Sequence, residues 1–357
     1  MEYVKIDSET KNEKAIGEKI INDLKKLGLE IYTDEAGKKL NSNGNNIYCY
    51  IPGNTNSETM LFSAHMDTVT PGVGIEPYID GDYVKSKGST ILGGDDKAGV
   101  VAILEALRVI NEKKLPHRPI EIVFTICEEG GVNGVKEVEF QRLKSKKGVV
   151  LDSGKGPEHI ITEAPGQNKI YANIRGKASH AGARPEDGIS AIMVAAEAVS
   201  NMKLLRIDSE TTANIGTFKA EGATNIVSPL VEIIAEARSR CADKLNEQTN
   251  HMINCLKESC DKYGAKLEYK VVNCYYSYVL NSEDEHIKTI SDICEEMGLE
   301  VVKLPSGGGS DANIYNLNGI KAVNIGVGME FGHTTDERLK IEDFINASEV
   351  VLKLMTM

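Results

Sequence analysis

No stretch of this 357-residue chain approaches the roughly 18 consecutive apolar residues that span a bilayer, so no membrane-crossing helix and no membrane partner are expected. The opening residues, MEYVKIDSET, lack the apolar centre of a secretory leader, and the expected location is cytoplasmic. C-x-x-C spacing is also missing. The seven cysteines, Cys49, Cys127, Cys241, Cys255, Cys260, Cys274 and Cys294, are scattered and odd in number, which argues against a disulfide framework or a thiolate metal site and for small buried hydrophobes. Basic charge is scarce: 41 Lys+Arg stand against 53 Asp+Glu, a formal charge of −12, with no Lys/Arg-rich run. Such a surface repels phosphate backbones, so no nucleic-acid partner is expected. Internal repeats and low-complexity segments are absent, and 41% apolar with 26% charged residues is an ordinary globular composition.

The length fits about two domains. Ala15, Ile16, Ile20, Ile21, Leu24 and Leu27 fall at helical spacing between Ser8 and Leu27, with Gly28 as a stop signal. Short β-branched runs follow at Asn46 to Ile51, Met60 to Ala64, Ile120 to Cys127 and Gly148 to Leu151, each bounded by turn residues. A helix over Ala98 to Ile110 separates the second from the third, which predicts an α/β architecture. From Gly166 to Tyr275 the order changes to strand (Lys169 to Arg175), helix (Ile189 to Met202), strand (Ala213 to Ala220), strand (Val231 to Arg238), helix (Leu245 to Tyr263), strand (Lys266 to Asn273). This β-α-β-β-α-β order is the split βαβ, or ferredoxin-like, unit. A helix at Glu283 to Met297, a strand at Lys321 to Gly326 and a closing helix at Ile341 to Leu354 resume the α/β pattern. The expectation is an α/β catalytic domain with a mixed central sheet over 1–165 and 276–357, and an inserted α+β domain over 166–275.

The chemistry-bearing residues gather at predicted strand ends. Met60 to Ala64 leads into His65-Met66-Asp67, and period-2 geometry puts His65 and Asp67 on one side of the strand, where a carboxylate can fix an imidazole. Gly93-Gly94-Asp95-Asp96-Lys97-Ala98-Gly99 opens a helix but lacks the G-K-[ST] ending of a phosphate loop; one Asp suffices as an N-cap, leaving the other for a second role. Two adjacent carboxylates, Glu128 and Glu129, close the strand from Ile120, an uncomfortable pair unless a cation lies between them. One of the two can bind metal while the other takes a proton from water. Asp152 follows the strand at Gly148 to Leu151, and Gly332-His333-Thr334-Thr335-Asp336 follows the strand at Lys321 to Gly326. Open α/β sheets bind ligands at that edge. Nitrogen and oxygen donors without thiolate suit two divalent ions, zinc above all, with cobalt or manganese as substitutes.

In these residues the chain resembles the zinc metallopeptidases that include peptidase T, glutamate carboxypeptidase, the aminoacylases and succinyl-diaminopimelate desuccinylase. The resemblance rests on Ile6-Asp7-Ser8-Glu9-Thr10, Ser63-Ala64-His65-Met66-Asp67-Thr68-Val69, Gly94-Asp95-Asp96-Lys97-Ala98-Gly99, Glu128-Glu129-Gly130, Ser179-His180-Ala181-Gly182 and Gly308-Gly309-Ser310-Asp311-Ala312, and runs over nearly the whole chain. It implies that His65 and Asp152 bind one zinc, Glu129 and His333 the other, and Asp95 both, with Asp96 outside the ligand set. It further implies that Asp67 orients His65, that Glu128 is the general base, that His180 polarises the substrate carbonyl, and that Asn225 and Arg238 contact substrate. The 30 residues between His65 and Asp95 leave no room for an inserted domain, whereas the 181 between Asp152 and His333 accommodate the β-α-β-β-α-β unit where the peptidase T-like group carries its lid or dimerisation domain.

The expected activity is therefore hydrolysis of short peptides by a metal-bridged water, closest to the tripeptidases, with two Zn(2+) per subunit and a homodimer through the inserted domain as a possible assembly. An N-acyl amino acid hydrolase would use the same constellation on a different amide. A catalytically silent ligand-binding protein would be signalled by loss of a ligand or of the base, and all are present.

Overall fold

The computed structural model describes residues 1–357. The chain divides into two units, Met1–Ala164 with Val279–Met357, and Pro165–Tyr278.

Four segments, each with an unbroken buried run, frame the first unit: Met60–His65, Ile120–Thr125, Lys147–Gly154 and Lys321–Glu330. Near-continuous apolar runs, rather than alternation, mark strands covered on both faces. The four pair in parallel, with Ile120–Thr125 beside Met60–His65, then Lys147–Gly154, then Lys321–Glu330. Antiparallel strands widen the sheet on either side. Ile47–Ile51 and Ile31–Thr33 lie beyond Ile120–Thr125; Arg338–Lys340, Tyr83–Ser86 and Pro77–Asp80 lie beyond Lys321–Glu330. The expected α/β architecture with a mixed central sheet is thus observed. The crossover from Met60–His65 to Ile120–Thr125 is the helix Gly94–Lys113, whose Ile103, Leu107 and Ile110 share a core with Val350, Val351 and Leu354 of the closing helix Ile341–Thr356.

Two boundaries differ from expectation in ways that matter for the site. The first helix begins at Lys14 rather than near Ser8, because the preceding segment pairs with the chain after His65: Thr68 N–H donates to Ser8 O at 2.9 Å and Thr10 N–H to Thr68 O at 3.0 Å. The strand expected to stop at Leu151 continues to Gly154, held in register by Gly326 and Met329, so Asp152 lies within the strand and not in the loop after it. The hairpin of Pro77–Asp80 and Tyr83–Ser86 escapes a sequence reading because both strands are half-exposed and carry no clear alternation.

The second unit is a five-stranded antiparallel sheet in the order Leu205–Arg206, Thr211–Lys219, Leu230–Ser239, Gly166–Arg175, Lys266–Tyr275. Burial alternates along Leu230–Ser239, the pattern of a sheet packed on one face. Helices Ala191–Asn201 and Ala242–Tyr263 supply Val194, Ala198, Met252 and Leu256 to a core shared with Ile170, Ile174, Val231 and Ile233. Connectivity and order are those of the ferredoxin-like arrangement, with Leu205–Arg206 added at one edge.

Candidate active site

Parallel strands point their carboxyl ends to one edge, and in open α/β sheets that edge receives ligands. His65 is the last residue of Met60–His65; Glu128 and Glu129 follow Ile120–Thr125; Asp152 lies near the end of Lys147–Gly154; His333 follows Lys321–Glu330. Asp95 sits at the start of the crossover helix. The six side chains converge. His65 Nε2 lies 3.0 Å from Asp95 Oδ1 and 3.8 Å from Asp152 Oδ1, while His333 Nε2 lies 3.4 Å from Asp95 Oδ2 and 3.0 Å from Glu129 Oε2. Three groups have donor atoms within 4.8 Å of one another: His65, Asp95, Asp152; Asp95, Glu129, His333; and His65, Glu128, Glu129. Asp95 presents one oxygen to each imidazole.

Around these donors the backbone is held by other carboxylates. Asp67, fully buried, accepts Glu128 N–H at 2.8 Å on Oδ1, and Glu129 N–H at 3.2 Å and the Thr10 hydroxyl at 2.7 Å on Oδ2. The His65 ring is instead fixed through the Asp67 main-chain carbonyl, 2.9 Å from Nδ1, with the nearest carboxylate oxygen at 3.6 Å. Asp96 accepts His65 N–H at 3.2 Å and Gly99 N–H at 3.1 Å. Glu337 accepts Gly93 N–H at 2.8 Å and Asp95 N–H at 3.0 Å. Asn324 clamps the backbone of Asp152, accepting its N–H at 3.0 Å and donating to its carbonyl at 2.8 Å.

Burial and crowding set the electrostatics. Removal from water pushes the Glu128 carboxyl well above the usual range, with His65 opposing and Glu129 reinforcing the shift; burial does the same to Asp152, reinforced by Asp95. Asp95 goes the other way: burial resists its ionisation, but the hydrogen bonds from His333 and His65 prevail and hold it below the carboxylate range. Hydrogen bonds to Asp95 and Glu129 raise the His333 imidazole to about 10. A set of acids whose ionisation is opposed by burial and by one another is one that a cation would relieve.

Asp311, Thr125 and Glu337 had no role in the sequence reading. Thr125 Oγ1 donates to Asp311 Oδ2 at 2.5 Å, while Asp311 Oδ1 is buried without a hydrogen-bond partner. Burial pushes this carboxyl up to about 6, against the Thr125 hydrogen bond. The Gly308-Gly309-Ser310-Asp311-Ala312 motif was the available signal, since Ser310 caps the short helix Asp311–Leu317. For Glu337 no local pattern would have served, because its partners lie 242 and 244 residues away.

The remaining expected residues lie in the second unit. His180 is exposed, and its Nδ1 accepts Gly182 N–H at 3.2 Å and Ala183 N–H at 3.1 Å. Those bonds select the tautomer with the proton on Nε2, leaving an outward donor. Asn225 stands in an exposed loop, where its carbonyl accepts Ala181 N–H at 2.9 Å. Arg238 is half-buried and forked onto Glu236, with Nε 2.8 Å from Oε1 and Nη2 3.3 Å from Oε2.

The family profile described as peptidase family M20/M25/M40 matches residues 61–357. Protein YqjE of Bacillus subtilis is 38% identical over 355 residues, which cover 99% of this chain and 96% of that protein. Among solved structures, the aminopeptidase PepT of Bacillus cereus is 40% identical with a TM-score of 0.88, the match covering all of this chain and 96% of that one. A tripeptidase of Staphylococcus aureus is 38% identical with a TM-score of 0.93, covering 99% and 95%. The chain belongs to peptidase family M20/M25/M40.

Proposed function

We propose that this member of the M20/M25/M40 peptidases hydrolyses short peptides, in the manner of a tripeptide aminopeptidase, with a two-metal centre at the carboxyl edge of its parallel strands. The observation that carries the reading is the pair of donor triads sharing Asp95, His65–Asp95–Asp152 and Asp95–Glu129–His333. Relatives named aminopeptidase PepT and tripeptidase, matched along the full chain, support the substrate class.

The residues fit two divalent ions. Their donors are imidazole and carboxylate only, which suits zinc and also admits cobalt or manganese. Glu129 Oε1 is buried with no hydrogen-bond partner, an orphan that a cation would satisfy. His65 and Asp152 would hold one ion, Glu129 and His333 the other, and Asp95 both. When bound, the ions supply Lewis acidity toward the scissile carbonyl and lower the pKa of the attacking water.

The protein's own groups then do the following. Glu128 accepts the proton of the attacking water and returns it to the departing amine. Asp67 holds the Glu128–Glu129 backbone by its carboxylate and the His65 ring by its carbonyl. His180, with Nδ1 occupied, offers Nε2–H to the developing oxyanion. Asn225 and Arg238 would bind the peptide beyond the scissile bond, Arg238 by taking its C-terminal carboxylate. We further propose a cytoplasmic homodimer assembled through the second unit, whose sheet exposes the cross-strand pair Tyr171 and Ile234.

A panel of dipeptides, tripeptides and N-acyl amino acids, assayed with the wild type and with Glu128→Gln, tests the reading. Tripeptides are expected to be the best substrates, and Glu128→Gln is expected to retain metal while losing several orders of magnitude in kcat. Preference for N-acyl amino acids would transfer the assignment to a deacylase, and full activity of Glu128→Gln would remove the proposed base.

A further inference from the structure

We infer that Glu337 is a positioning residue of the metal centre, a latch from the His333 loop that sets the position of Asp95; the inference rests on the ligand assignment proposed above. Glu337 is 2% exposed, and its two side-chain oxygens accept Gly93 N–H at 2.8 Å and Asp95 N–H at 3.0 Å. The approach is close: a Cβ on Gly94 would lie 3.2 Å from Oε1, so the glycine turn gives the carboxylate its access. The other end of the latch is equally fixed. Glu337 N–H donates to Thr334 O at 3.1 Å, Thr334 Oγ1 donates to Phe331 O at 2.8 Å, and Asp336 N–H donates to Thr334 Oγ1 at 3.2 Å. One side chain thereby joins the backbone of Asp95 to the loop that carries His333.

The same device recurs in this unit. Asp67 holds the amides of Glu128 and Glu129, and Asp96 holds the amide of His65. In each case a buried carboxylate spends its oxygens on backbone N–H groups of a segment bearing a metal-site residue. For Asp95 the consequence is sharpest, since its two oxygens must reach His65 on one side and His333 on the other. A shift of the Gly93–Asp95 turn would break both approaches together. Groups that orient ligands in this way typically contribute 10–100-fold in metal affinity.

The test is metal binding by the full-length protein stripped of metal, read by competition for Zn2+ with a chromophoric chelator, alongside thermal unfolding of the same metal-free samples. Glu337→Gln keeps the size of the side chain but turns an amide N–H toward a backbone N–H. It is expected to weaken binding of both zinc equivalents by about 10–100-fold, and to alter the visible spectrum of the cobalt-loaded protein. Glu337→Asp, which keeps the charge but draws it back by one methylene, is expected to fall between the wild type and Glu337→Gln, and it decides the matter if Glu337→Gln does not fold. Wild-type affinity and cobalt spectrum in a folded Glu337→Gln, or in Glu337→Asp where that variant must decide, overturns the inference. His333→Ala separates this failure from failure of the ligand set. If His333→Ala also binds both ions normally, the assignment of the centre is wrong; if it loses one ion while the Glu337 variants lose none, only the latch is wrong.

Discussion

Replacing Asp67 by Asn keeps shape and volume and removes one acceptor, so its effect can be worked out bond by bond. Both oxygens of the native carboxylate are committed: Oδ1 to Glu128 N–H, Oδ2 to Glu129 N–H and the Thr10 hydroxyl. An amide group cannot face both N–H donors with oxygen. The less damaging flip keeps the shorter bond to Glu128 and turns NH2 toward Thr10, whose hydroxyl can reverse, and toward Glu129 N–H, which cannot. The loss is one charge-assisted bond at roughly 1.5–3 kcal/mol and a buried N–H left unpaired at roughly 1–3 kcal/mol, two costs that overlap, for a total of about 2–4 kcal/mol. At roughly 2–4 °C per kcal/mol for a unit of this size, the unfolding midpoint of the first unit should fall by about 5–15 °C. Because the released segment carries Glu128 and Glu129, kcat should fall as well, by about 10–100-fold, and zinc content at limiting metal should drop. Differential scanning calorimetry of Asp67→Asn and of the milder Thr10→Val, with metal analysis of each, is the assay. The ring of His65 is held by the main-chain carbonyl of residue 67, which the substitution leaves in place. An Asp67→Asn protein with native midpoint, zinc content and turnover would refute the argument that this carboxylate pins the Glu128–Glu129 segment.

Two further outcomes are expected. His286, buried with Nε2 2.9 Å from Gly148 O, has its pKa pushed down to about 4 by burial. The unfolded residue takes a proton near pH 6.5, so wild-type stability should decline between about pH 6.5 and 4 by some 3 kcal/mol relative to His286→Gln, with the two curves parallel above pH 7; urea titrations across that range check it, and parallel curves throughout would sink it. If Arg238 grips a terminal carboxylate, tripeptides should be cleaved about ten-fold faster than their C-terminal amides at low concentration, and Arg238→Lys should raise KM for the acid by a similar factor. Equal rates for acid and amide would leave Arg238 as the structural partner of Glu236.

The fold was legible where burial leaves a periodic trace. Met60–His65, Ile120–Thr125 and the helices at Ala242–Tyr263 and Ile341–Thr356 are long or apolar enough to declare themselves, and the β-α-β-β-α-β order of the second unit follows from such segments. The rest depends on contacts that no local window contains. Ser8 and Thr10 leave the first helix because Thr68 offers them backbone partners, and Lys147–Gly154 passes Leu151 because the neighbouring strand runs on to Glu330. His159–Ala164, which mixes buried and half-exposed positions, and Val302–Pro305, which is mostly exposed, pair with each other in parallel, and neither short run reads as a strand until its partner is known.

At the site, residue types and strand ends were readable but the division of labour among carboxylates was not. Eight acids, Asp67, Asp95, Asp96, Glu128, Glu129, Asp152, Asp311 and Glu337, crowd one edge of the sheet, and sequence spacing gives neighbours such as Asp95 and Asp96 nearly equal standing. Hydrogen bonding separates them. Asp67, Asp96 and Glu337 give both oxygens to backbone N–H groups, which leaves them poorly placed to bind a cation. Asp95 and Glu129 turn oxygens toward imidazoles, Asp152 faces His65, and Glu129 keeps one oxygen buried without a partner. The first set fixes the positions of the segments and the second offers the charge. The backbone N–H groups favour the ionised form of the supporting acids but do not outweigh burial, which still pushes the Asp96 and Glu337 carboxyls up, so the oxygens left for a pair of divalent ions to balance are those of the donors which face the site.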